Sequence, residues 1–180
     1  MPPRLQEWPR LESNLLTAVL APTIPFLAAA AAVLWGLSLP ASAYAASLAD
    51  SAAQLLAAAV YGFGSVICHQ ISERSFHLFA EQLPVCARCT GLYAGAAAIA
   101  VPYLFRGARR PWSTVVPGSA YVRWLLVIAS LPVALSIVWE WATGEVPSNI
   151  VRASTGVVLG GAVARVILDA LAGSARSPRK

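Results

Sequence analysis

Four apolar stretches limit what this chain can fold into: residues 19–39, 85–105, 122–141 and 150–171. Each approaches the ~20 apolar residues needed to cross a hydrocarbon core. Within lipid, a spanning segment has to satisfy its own backbone hydrogen bonds, and runs of this length do so as helices. A fifth run, 51–68, is shorter and opens beside Asp50 and Gln54. It either spans or lies re-entrant at the interface. The expected fold is therefore all-α: a polytopic transmembrane helical bundle of four or five membrane segments, in which residues 15–172 form one domain between a polar lead-in (1–14) and a basic tail (173–180).

Composition supports this frame. Apolar residues make up 58% of the 180 and charged residues only 12%, about half the charged share of a soluble domain. The formal net charge of +5 raises nucleic acid as a partner, but the basic residues cluster at the ends of apolar runs and do not line one polar face. The expected partner is the lipid bilayer and not a nucleic acid.

Arginine placement suggests an orientation. Arg106, Arg109 and Arg110 follow the 85–105 run, Arg123 lies at the far end of that connector, and Arg176, Arg179 and Lys180 close the chain. By the positive-inside rule both regions face the cytoplasm, and the connector 143–149, which has no basic residue, faces out. If 51–68 does not span, Arg4 and Arg10 also fall inside. That four-span reading is preferred, because the alternative relies on Glu7 and Glu12 offsetting those arginines, and acidic residues contribute little to orientation. Both readings leave the loop 69–84 outside. The first run is too long for a signal-peptide core, so the small residues at 40–45 are read as part of an uncleaved anchor and not as a processing site.

All three cysteines and both histidines lie between residues 68 and 89. Cys86 and Cys89 are three apart at the start of a predicted helix, with Pro84 near its first turn, so their sulfurs share a face. The helix start and Arg88 favour thiolates there. Between Cys68 and Cys86, the helical spacing of Phe76, Phe79 and Leu83, with Glu73, His77 and Glu81 four apart, predicts a short amphipathic interfacial helix that folds Cys68 back toward the pair. Cys68, Cys86 and Cys89 with His69 would make an acceptable tetrahedral site for zinc or another divalent transition metal. A structural disulfide with one free thiol is the plain alternative. His77 alone is better explained as a hydrated interfacial side chain.

Outside this loop, Glu140 and Arg152 fall near facing helix ends, where a pair would offset the cost of charge at membrane depth. Gly91 with Gly95, and Gly156 with Gly160, have the small-xxx-small spacing that lets helix backbones approach closely.

The residues also resemble a known family. Cys68-His69-Gln70, then Arg74-Ser75-Phe76, then Gln82-Leu83-Pro84-Val85-Cys86-Ala87-Arg88-Cys89-Thr90-Gly91 are similar to the domain of unknown function 2085 family of small prokaryotic membrane proteins. Asn149, Arg152, Thr155 and Gly156 resemble a second pattern of that family. The chain departs from it in the penultimate helix, where Leu131-Pro132 is followed by Ser136 and Glu140 instead of an Asp-Gly step. The resemblance implies a polytopic fold in a prokaryotic cell membrane and no particular reaction. Three function classes fit the residues. They are a metal-binding membrane protein, a thiol-disulfide oxidoreductase using Cys86 and Cys89 with a quinone as acceptor, and an enzyme or carrier for an anionic lipid held by Arg74, Arg88 and Arg152.

Overall fold

The computed structural model describes the backbone of residues 8–106 and 118–174, and the side chains of 23–105, 118 and 120–173. The arginines at 4, 109, 110, 176 and 179, Lys180, the outer part of the polar lead-in and most of the basic tail lie outside the described residues, as do the side chains of Arg10 and Arg106. Five helices follow in order: α1 (Trp8–Ser47), α2 (Ser51–Ile67), α3 (Ala87–Arg106), α4 (Ser119–Thr143) and α5 (Asn149–Ser174). Three segments are long and apolar enough to cross a membrane, Thr23–Ser47, Ala120–Thr143 and Asn149–Gly173. On α4, Tyr121 and Trp124 are exposed near one end and Trp139 and Trp141 near the other, as in the aromatic belts at two membrane interfaces. At 1.5 Å per residue the 20 residues of α3 reach about 30 Å, the thickness of a hydrocarbon core. Its lower apolarity reflects Arg88 and Thr90 in its first turn. It tolerates them because it lies between α1 and α5.

The α3–α5 contact is the closest in the bundle, and glycine makes it possible. A Cβ added at Gly91 or Gly95 would collide with the carbonyls of Ala153 and Val157, and one at Gly156 or Gly160 with those of Arg88 and Leu92. Both small-xxx-small pairs are therefore used against each other, and the two helices run parallel with their N-termini at the same end.

Packing also decides the course of the first helices. Ala29 on α1 clusters with Ala100 and Tyr103 near the C-terminal end of α3, whereas Leu39 clusters with Val85 just before α3 begins. α1 and α3 are thus antiparallel, and the end of α1 and the start of α3 share one end of the bundle. α2 packs along α1. Asp50 caps its first turn by accepting a 2.8 Å hydrogen bond from the Ala53 amide, and Phe63 packs edge-on to Trp35 of α1 with ring centroids 4.9 Å apart. Its 17 residues run to about 25 Å, short of a crossing. Among the described residues, α1, α4 and α5 carry the three long apolar segments, and α2 is a shorter apolar helix beside α1.

The loop 68–86 corrects one expectation. No amphipathic helix forms between Cys68 and Cys86. A 3-10 turn over Ser72–Arg74 leads into a two-stranded hairpin, β1 (His77–Leu78) and β2 (Glu81–Gln82), paired His77 with Gln82 and Leu78 with Glu81. Phe79 and Ala80 close the turn with φ of 56° and 65°, the left-handed geometry that a two-residue hairpin turn requires. The helical spacing of Phe76, Phe79 and Leu83 is overridden because so short a helix has little intrinsic stability. In the hairpin the Phe79 ring packs against Tyr44 of α1 with centroids 5.2 Å apart, and Leu83 is buried.

Candidate functional site: a thiol cluster and an ion cluster beside α3

Polar side chains hold the loop to the bundle. The Gln70 amide donates to the carbonyls of Tyr61 and Pro84, each at 2.8 Å. Gln82 donates back to the Gln70 carbonyl at 2.7 Å, and the Tyr61 hydroxyl donates to the Gln82 carbonyl. On the opposite side, the Asn149 amide donates to the Ser75 carbonyl at 3.0 Å. The loop is therefore tied to α2 through Gln70 and to α5 through Ser75. Gln70, Ser75, Gln82 and Asn149 were not singled out for a role in the sequence, although all four lie within the motifs that resemble the family. Their concentration in those motifs was the available signal.

This scaffold brings the three cysteines together. The sulfur atoms of Cys68, Cys86 and Cys89 all lie within 4.8 Å of one another, and all three are free. Cys68 follows the last residue of α2. Cys86 immediately precedes α3, with its carbonyl accepting from the Thr90 amide at 2.8 Å, and Cys89 lies in the first turn. The Cys86 amide donates to the Cys68 sulfur at 3.1 Å, the kind of N–H···S contact that stabilises negative charge on sulfur. A hydrogen bond from the Cys89 thiol holds the Cys86 thiol well below its ordinary range, against the opposing effect of burial. Trp35, Leu39, Val85 and Tyr93 wall the cluster.

The histidines stand apart. His69 is exposed and is not in the ligand group formed by the three sulfurs. His77 is exposed on the hairpin, and its Nε2 lies 3.3 Å from the Ser72 hydroxyl.

On the other face of α3, Glu140 near the end of α4 is surrounded by three arginines. Arg152 of α5 meets it at 2.6 Å and Arg74 of the loop at 2.9 Å, with Arg88 of α3 at 4.0 Å. Arg88 also donates to the Ser136 hydroxyl at 3.1 Å. The expected Glu140–Arg152 pair is present, and two further cations join it.

Comparison with known proteins agrees with this architecture. The family described as "Predicted membrane protein (DUF2085)" matches residues 68–166, from the first cysteine through most of α5. An uncharacterized protein, MJ1492, of Methanocaldococcus jannaschii is 32% identical over 109 residues, which cover 61% of this chain and 66% of that protein. The matched region thus spans slightly less than two thirds of that relative. No solved structure matches.

Proposed function

The chain belongs to the DUF2085 family of predicted membrane proteins, and from that premise we propose that Cys68, Cys86 and Cys89 hold a zinc-type divalent transition metal, with His69 as the fourth ligand. The observation that carries this reading is the convergence of three sulfurs within 4.8 Å from two separate chain segments. Tetrahedral zinc–thiolate sites with Zn–S near 2.3 Å need sulfurs about 3.8 Å apart. The amide donated to Cys68 and the lowered Cys86 thiol suit a donor set that binds as thiolates. His69 adjoins Cys68 and is exposed, so its ring has to turn inward to complete the set. A metal held by four protein ligands would pin the loop to α3, and one held by the sulfurs alone would leave a position for water or substrate.

The loop end of the bundle is assigned to the extracytoplasmic face and the C-terminus to the cytoplasm of a prokaryotic cell, on the strength of the arginine distribution. A reporter fused after Lys180 should behave as cytoplasmic, and export of that reporter would reverse the assignment.

Metal analysis of detergent-purified protein with a parallel thiol count tests the site. One metal per chain, lost in Cys86→Ser, supports it, and loss in His69→Ala identifies the fourth ligand. Metal-free protein with an exchangeable Cys86–Cys89 disulfide that responds to quinol would favour the oxidoreductase instead. Three inert thiols with neither property would refute both.

A further inference from the structure

Glu140 carries one negative charge, and Arg74, Arg88 and Arg152 each carry a permanent positive charge. The cluster therefore holds two uncompensated positive charges where three helices and a loop meet. Among the described residues, the one carboxylate that these three arginines meet in an ion pair is that of Glu140. A single arginine would neutralise Glu140. The second and third only add repulsion, at a depth where charge is costly.

The donors point the same way. The Nε atoms of Arg88 and Arg152 are both buried without a hydrogen-bond partner, although Arg152 is only 2% exposed. Buried donors on a charged group are rarely left unsatisfied in a folded protein. Exposure is graded across the cluster: the side chains of Arg74, Arg88 and Arg152 are 40%, 23% and 2% accessible, and that of Glu140 12%. An incoming group would approach past Arg74 toward the inner guanidiniums.

We infer that Arg74, Arg88 and Arg152 form an oxyanion site that takes a phosphate group, either free or as the headgroup of an anionic phospholipid. Guanidinium forks match phosphate oxygens in geometry as well as charge. A phosphate monoanion or dianion would reduce or remove the excess of two charges, and its several oxygens can accept from more than one arginine. Glu140 holds the cluster open by fixing Arg74 and Arg152 on its two oxygens. The site faces α4 and α5 and does not depend on the metal reading of the thiols.

The test uses the full chain in maltoside micelles, a detergent without phosphate. Inorganic phosphate in one arm and phosphatidylglycerol in the other are titrated at matched ionic strength, and the unfolding midpoint is followed, since a ligand that binds only the folded protein raises it. A rise in the first arm identifies free phosphate, and a rise confined to the second identifies a lipid headgroup. In either case Arg74→Gln, at the exposed edge, should weaken the apparent affinity on the order of tenfold by removing a charged hydrogen-bond donor. No rise in either arm, or an equal rise in Arg74→Gln, would overturn the proposal. Metal content measured on the same samples separates this outcome from failure of the thiol site.

Discussion

On the α1 side of the start of α3, three thiols gather within 4.8 Å of one another, walled by Trp35, Leu39 and Val85. On the α4 and α5 side, three guanidiniums gather around one carboxylate. The two clusters lie a few residues apart in sequence and behave differently toward their surroundings. A thiol has a neutral form in which it packs as a small apolar group, and a bound cation draws off its proton. Arginine has no neutral form to fall back on, so the second cluster bears its excess charge whenever the protein is folded. The thiol cluster can lose charge by taking up protons, whereas the arginine cluster cannot.

The most drastic way to break this comparison is to remove what both clusters share. Gly156→Leu would drive a side chain into the Arg88 carbonyl and force α5 from α3. It should destabilise the bundle by at least about 3 kcal/mol, the upper range for overpacking, and abolish the folded peak on size-exclusion chromatography. Normal accumulation and stability would mean that the two backbones are not in contact.

Glu140→Ala separates the clusters, because it leaves three arginines with no carboxylate while every thiol is untouched. The expected cost is about 3 kcal/mol, the lower end of the range for breaking a buried pair, read as a lower unfolding midpoint with unchanged metal and thiol content. Cys68→Ser tests the converse. It should cost about 1–2 kcal/mol in metal-free protein and leave the phosphate response at wild-type size. A change in that response would show that the two sites are coupled through α3.

The lowered Cys86 thiol sharpens the sulfur side. A group whose proton leaves more readily stays thiolate as the pH falls below the usual thiol range, and the thiolate is the nucleophile. Alkylation of metal-free protein at neutral pH, followed by peptide mapping, should therefore mark Cys86 first. Uniform labelling would contradict that ordering. The smallest effect belongs to the hairpin. Ala80 holds φ at 65°, where glycine is free of the Cβ penalty, so Ala80→Gly should raise stability by less than about 1 kcal/mol without altering either cluster.

The apolar runs were enough to read a helical membrane bundle from the sequence, because chain length against membrane thickness is a one-dimensional constraint. Cys86 and Cys89 were legible for a similar local reason, a three-residue spacing at a helix start. Their meeting with Cys68 was anticipated but assigned to the wrong device. The spacing of Phe76, Phe79 and Leu83 carries no information about the left-handed turn at Phe79 and Ala80, which Tyr44, more than thirty residues earlier, helps to hold. The Glu140–Arg152 pair followed from the cost of charge at matching depths. The joining of Arg74 and Arg88 to it did not, because it depends on α3 and α5 running parallel and in register, which the glycines permit and the sequence does not state.

That register has a consequence for biosynthesis. α3 leaves the ribosome well before α5, the helix that fills its glycine face. Until α4 and α5 have been made, a segment less apolar than its neighbours presents Arg88 and a strip of exposed backbone with no partner on that side. Its retention in the bilayer during this interval falls to α1, already in place and antiparallel to it. Changes at Gly36, whose position faces Tyr93 and Ala97, should therefore affect membrane insertion yield more than the stability of chains that have already folded.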